Sequence, residues 1–454
     1  MLDLTPKEII ERKGLRINPC KTCQPVGAVY AALGVHKCMP HSHGSQGCVS
    51  FHRMFLSRHF KEPAIASSSS FTEGTSVFGG GSNVKTAVKN VFDIYNPDII
   101  AIHTTCLSET IGDDLNTYIQ QMEIPEGKIV LHSNTPSYAG SHISGYFNMM
   151  CGFIKYLAKN TGEDNGKIGI FPGFTNPGDM REMKKIAKLM GADFIMFPDT
   201  SGVMDAPMTG NYEMYPKGGT TIPEIIGLGD CKKILALGEL TSMEPAMELK
   251  RKCEVDFSCL PLPIGIEATD AYVTALSHFA KTEVPYALEE ERGQLVDIML
   301  DSHAHYDKKT VAIYGDPDTV LGITTLVLEM GMIPKYVLTG TPFESFTKKA
   351  NALFEKFGVT DCKAKAAGDL FELHQWIKNE PVDLLIGSSY GKQIAKAEDI
   401  PFVRAGFPIL DRYVHSYMPI VGYKGAIRLV ELISNALMDR QDRDCADEDL
   451  ELVM

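Results

Sequence analysis

No run of about twenty apolar residues occurs in this 454-residue chain, so no segment is long enough to cross a bilayer as a helix. The opening MLDLTPKEIIERK has neither the basic nor the apolar stretch of a secretory leader, and a cytoplasmic location is the expectation. Basic residues are in deficit. The 44 Lys and Arg face 57 Asp and Glu, and the net charge of −13 has the wrong sign for a general nucleic-acid partner. The 11 cysteines are odd in number and scattered, which fits a reducing compartment rather than a disulfide framework. Cys20 and Cys23 form a C-x-x-C pair, yet no second pair follows to complete a zinc site and no thioredoxin-like context surrounds it, so Cys20 is read as a bystander. The chain also lacks an H-E-x-x-H zinc helix, a Ser-His-Asp arrangement and any detectable repeat. The turns YGDPDTVLG and SSYGK do not satisfy G-x-G-x-x-G, and their simpler reading is structural.

What is present is an alternation of short β-branched runs and helical stretches. DIIAIHTT, KIVLHSN, KIGIFPGF, DFIMFPDT, KILALG, TVAIYGDPD, KYVLTG and VDLLIGSS read as strands separated by helices, the pattern of βαβ units on parallel sheets. With 44% hydrophobic residues the chain can bury large cores, and its length implies two to three domains. Thr5-Pro6-Lys7-Glu8 is a capping box with proline at the first helical position, which predicts a short helix from Pro6 to Arg12. Gly79, Gly80 and Gly81 lead into NVKTAVKNVFDIY, a predicted helix with Val84, Val88, Val91 and Tyr95 on one face. Without the Lys-Ser/Thr ending of a P-loop, this glycine run is read as a capping turn rather than a phosphate cradle.

Three cysteines and a serine stand where strands or turns give way to glycine, proline and small polar residues. Cys23 precedes Gln24-Pro25, and the proline fixes how the chain leaves the thiol. Cys48 closes HGSQGC, in which Gly44 and Gly47 allow close backbone approach. Cys106 follows DIIAIHTT, and Ser137 follows KIVLHSN. Both therefore belong at the carboxyl rim of a sheet, where ligands bind in open α/β folds. The alternative is that these thiols pack as small hydrophobes. His41, His43, His103 and His142 could serve acid–base chemistry, but are read as hydrogen-bonding supports of nearby loops. Asp297 and Asp301, four apart on a predicted helix, share one face; they are either solvated or hold a hard cation such as calcium or iron(II).

The motifs KTCQPVGA, PHSHGSQGC, SRHFKEP, VFGGGSN, HTTCLSETIGDDL, NTPSYAGSHISGY, GFPILDRY and GYKGA, in this order and spanning nearly the whole chain, resemble the β subunits of nitrogenase molybdenum-iron proteins of the short clostridial type. The resemblance implies the nitrogenase component 1 fold: three similar Rossmann-like α/β domains with parallel sheets flanked by helices, placed here at 1–160 (with the cluster ligands), 161–306 and 307–454. It implies an eight-iron, seven-sulfur P-cluster shared with the α subunit, with Cys23, Cys48 and Cys106 as thiolate ligands and Ser137 as an oxygen ligand of the oxidised cluster. It further implies a calcium or iron ion between β subunits, held by Asp297 and Asp301 of one copy with Glu62 and the Lys61 carbonyl of another. The segment reads HFKEP here, with Lys61 where arginine is often found, and a carbonyl ligand survives that change. By the same resemblance Phe78 is expected on the docking face of the ATP-hydrolysing iron protein, whereas the residues alone favour a buried phenylalanine. The implied assembly is two α and two β chains, in which electrons from the iron protein pass through the P-cluster to an iron-molybdenum cofactor held by α alone, where dinitrogen is reduced to ammonia. A vanadium or iron-only nitrogenase β subunit, a cofactor-assembly scaffold subunit and a metal-free α/β binding protein are the alternatives.

Overall fold

A computed structural model describes residues 4–10, 12, 14 and 16–447. Its frame is three parallel sheets. The first contains β1 (Cys38–His43), β2 (Ser67–Ser68), β3 (Ile99–Thr104) and β4 (Ile129–Ser133) in the order β2-β1-β3-β4. The second contains β5 (Ile168–Phe171), β6 (Phe194–Met196), β7 (Lys233–Leu237) and β8 (Phe257–Leu260) in the order β6-β5-β7-β8. The third orders β9 (Thr310–Gly315), β10 (Ile333–Thr339), β11 (Lys363–Lys365), β12 (Leu384–Gly387) and β13 (Phe402–Arg404) as β11-β10-β9-β12-β13. Every recorded strand pair is parallel, the arrangement expected when helices cover both faces of a sheet. Among the described residues no helix is long and apolar enough to cross a membrane.

Strand alternation builds two cores on the first sheet. On one face Ile100 and Ile102 meet Val84, Val88, Val91 and Phe92 of the helix α4 (Gly81–Tyr95). On the other, Ile99 and Ala101 pack with the helices α1 (Gln24–Leu33) and α7 (His142–Leu157). Each of the α4 side chains contributes about 1.5–3 kcal/mol by leaving water. Between α1 and α7 the backbones nearly touch: a Cβ on Gly27 would lie 1.7 Å from the His142 carbonyl oxygen, and one on Gly145 would lie 1.8 Å from that of Gln24. Every residue of α1 is buried.

Two local expectations fail. Residues 4–10 form no helix; residue 11 of the predicted span lies outside the described residues. Gln375 Nε2 donates to the carbonyls of Pro6 and Glu8, and Asn379 Nδ2 donates to that of Lys7 at 2.8 Å, so tertiary bonds hold the carbonyls that a helix would have used. Tyr95 closes α4 with 41% of its surface exposed, and Phe92, one turn after Val88, takes the inward place.

Candidate functional site

β1 and β3 are neighbours from which the chain continues in opposite directions, to β2 on one side and to β4 on the other. This makes their carboxyl ends a topological switch point, where a crevice opens in such sheets. Cys48 follows β1 as the third residue of α2 (Gln46–Phe60), and Cys106 follows β3 as the first residue of α5 (Cys106–Ile111). Cys23 caps the amino end of α1, and Ser137 lies in the turn after β4. All three thiols thus stand at helix amino ends.

Short bonds join these four stations. A Cβ on Gly44 would fall 2.2 Å from Thr105 Oγ1, and Thr105 donates that hydroxyl to the His43 carbonyl at 3.0 Å, so the turn before Cys48 lies against the residue before Cys106. Thr135 donates its amide and its hydroxyl to Thr104 at 2.6 and 2.7 Å, which ties the Ser137 turn to the end of β3. Lys21 Nζ donates to the Gly140 carbonyl at 2.6 Å, Gln24 Nε2 to that of Ala139 at 3.1 Å, and the His142 amide to that of Thr22 at 2.9 Å, which brings the Cys23 segment to the same turn. The structure therefore gathers Cys23, Cys48, Cys106 and Ser137 on one rim. Cys106 is exposed, while Cys23, Cys48 and Ser137 are half-buried. Burial pushes the Cys23 thiol up, with a smaller push from neighbouring Cys48. Cys20, by contrast, is buried among Tyr314 and Leu338, and burial raises its thiol well above the ordinary range.

The histidines behind the rim are buried and paired. His41 bonds Ser67 and Ser69, both at 2.8 Å; His43 bonds Ser69 and Asp113; His103 Nε2 lies 2.7 Å from Ser42 Oγ. Burial holds them neutral, pushing His41 down to about 3 and His103 well below the usual range. His142 Nδ1 accepts from the Thr22 amide, so Nε2 carries the proton and donates to Asp316, the residue just past β9, at 2.7 Å. The residue that the sequence reading passes over is His52. Its Nε2 lies 3.9 Å from Cys23 Sγ, and burial pushes it down to about 4. Cys48 and His52 are four apart on α2, and that spacing, which puts both on one face, was the available signal.

Phe78 ends α3 (Glu73–Phe78) and is 90% exposed beside Val77 at 76%. Its turn is anchored to the rim, because Asp113 accepts from the Gly80 amide and bonds His43. Asp297 and Asp301 are exposed on the helix Tyr286–Asp301. Glu62 accepts from Tyr417 OH at 3.4 Å, while Lys61 caps α2 with φ 65° and donates to the Arg58 and Leu410 carbonyls. No hydrogen bond or ion pair joins the two pairs among the described residues. Nor, among those residues, do three His, Cys, Asp or Glu side chains form a group able to hold a single metal ion. Of the rim thiols, Cys106 is exposed, Cys48 is half-buried, and Cys23 is half-buried with its sulfur against the buried His52.

Fold and rim define a parallel α/β protein that carries thiols at a sheet switch point. The sequence pattern of the nitrogenase component 1 type oxidoreductases matches residues 23–438, and the chain belongs to that family. It is 60% identical to the nitrogenase molybdenum-iron protein beta chain of Clostridium pasteurianum over the full length of both, and 41% identical to that of Frankia alni over 97% of this chain and 86% of the relative. A chain of the solved structure of nitrogenase Cp1 at pH 6.5 superposes with a TM-score of 0.99 at 60% identity, each chain covered completely. A chain of nitrogenase Cp1 at pH 5, 15% identical, shares the fold with a TM-score of 0.70 over 97% of this chain and 92% of that one. The expected component 1 fold and nitrogenase-type oxidoreductase class are thus borne out.

Proposed function

We propose that this chain is the β subunit of a cytoplasmic molybdenum-iron nitrogenase and holds a P-cluster at its contact with the α subunit through Cys23, Cys48 and Cys106, with Ser137 as an oxygen donor. The observation that carries the reading is the convergence of these residues on one sheet rim, with Cys106 exposed and Cys23, Cys48 and Ser137 half-buried. Soft thiolates hold iron–sulfur clusters, and a hydroxyl oxygen suits more oxidised iron. Bound there, the cluster supplies one-electron storage and transfer. The chain's own part is to fix the thiols on buried α1 and on the ends of β1 and β3, and to bring a partner to Phe78. The molybdenum-iron name of the 60% identical relative favours this type over the vanadium and iron-only enzymes and the assembly scaffold. The test is iron and acid-labile sulfide in the complex co-purified with its α subunit. Several irons per β chain are expected, and a colourless, fully folded complex would return the cysteines to a metal-free binding protein.

Two further features belong to the same reading. Asp297 and Asp301 of one β copy, with Glu62 and the Lys61 carbonyl of another, bind a calcium or iron ion; metal analysis of the same preparation should find that ion and lose it in Asp301→Ala. Phe78 and Val77 dock the iron protein. An aromatic exposed on an anchored turn is the kind of side chain that dominates an interface. Phe78→Ala is expected to lower iron-protein-driven turnover about tenfold or more while leaving iron content unchanged. Unaltered turnover across a titration of the iron protein would remove Phe78 from the docking face.

A further inference from the structure

Behind Cys23 runs a buried chain of polar groups. His52 Nε2 lies 3.9 Å from Cys23 Sγ, its Nδ1 lies 3.3 Å from Ser42 Oγ, and the same hydroxyl lies 2.7 Å from His103 Nε2. His103 and Ser42 are fully buried and His52 nearly so. The far end of the chain is His103 Nδ1, which is buried with no hydrogen-bond partner among the described residues.

That unpartnered nitrogen sets the direction of every bond. A buried N–H left without an acceptor is rarer than a buried lone pair left without a donor, so His103 carries its proton on Nε2 and gives it to Ser42 Oγ. The Ser42 hydroxyl is then free to donate to His52 Nδ1. With Nδ1 accepting from Ser42, the ring proton of His52 sits on Nε2, facing the sulfur. We propose that His52 is a positioning residue for Cys23, donating an N–H···S hydrogen bond to its thiolate with Ser42 and His103 fixing the tautomer, a role that rests on Cys23 being an iron ligand as proposed above. Reduction adds negative charge to a cluster and its thiolates, and a donor aimed at one sulfur stabilises the reduced form more than the oxidised one, which raises the potential.

The experiment is an EPR-monitored redox titration of the co-purified α/β complex, with iron content measured in parallel, for wild type, His52→Phe, His52→Gln and Ser42→Ala. His52→Phe keeps much of the ring's bulk and has no donor. At a fixed potential near the midpoint its reduced-to-oxidised ratio is expected to fall about tenfold, a shift of about 59 mV to lower potential for one electron. His52→Gln places an amide donor near the same point and should restore the wild-type midpoint. Ser42→Ala, which frees the tautomer, should move the midpoint in the direction of His52→Phe. An iron-free wild type refutes the cluster reading itself. Full iron with an unshifted midpoint in His52→Phe overturns the role of His52 alone. If His52→Phe loses its iron, retention in His52→Gln supports the donor role, and if both lose it the Ser42→Ala midpoint decides: shifted supports, unshifted overturns.

Discussion

Cys48→Ala is expected to yield a complex that assembles but carries no mature cluster, with activity reduced by at least about 100-fold and iron per β chain cut to the little that remaining ligands retain. The size of the effect follows from what surrounds the sulfur. Cys48 sits in the first turn of α2, where Ser45 caps the helix by accepting from the Cys48 amide at 3.4 Å and directs its hydroxyl to the thiol at 3.5 Å. Alanine removes the soft donor, and Ser45 is the nearest polar side chain recorded against it; a neutral hydroxyl is a poor replacement for thiolate on iron. The fold should be indifferent, because the amide bond to Ser45 is kept and the side chain is only half-buried. Circular dichroism is therefore expected to match wild type while the metal is lost, and the unfolding midpoint to fall only by what the bound cluster contributes. An active variant with its full iron would remove Cys48 from the ligand set.

Much of this was legible because parallel sheets write themselves plainly: β3 and β9 are continuous apolar runs, and a residue placed just past such a run must sit on the carboxyl rim. Cys106 and Ser137 were located that way. Cys23 was harder, since it precedes a helix rather than follows a strand, and only the motif around it pointed to the rim. The amino-terminal helix failed because a capping box is a local signal worth about 1 kcal/mol, and Gln375 and Asn379, more than 360 residues away, claim its carbonyls instead. His52 escaped notice because its partner Cys23 is 29 residues distant and meets it only through packing. For Phe78 the residues alone favoured burial, and the 90% exposure, which overturns that reading, is visible only in the fold. Among the described residues Asp297 and Asp301 make no hydrogen bond or ion pair with Lys61 or Glu62, so neither segment points to the other within one chain.

Gly27→Ala should be far more damaging to the protein than its single added methyl implies: a loss of more than about 4 kcal/mol, seen as insoluble chain or failure to assemble. The new Cβ would meet the His142 carbonyl oxygen at 1.7 Å, its carbon at 2.7 Å and the Tyr146 amide nitrogen at 2.8 Å. All three are backbone atoms of α7, so no rotamer change relieves the clash and the helices must part. Parting them opens the core around Val29, Tyr30, Tyr146 and Met149 and also shifts the Cys23 cap, since the same segment bonds the Ala139 to His142 turn. Stability and ligand geometry are thus coupled through one glycine contact. Gly293→Ala supplies the contrast: it lies in the helix Tyr286–Asp301, its Cβ would meet nothing within 4 Å, and it should stabilise the chain by about 0.5–1 kcal/mol through reduced unfolded-state freedom. Urea denaturation of the two variants separates the mechanisms. Near-wild-type stability in Gly27→Ala would mean that α1 and α7 can move apart without cost, and that the rim does not depend on their contact.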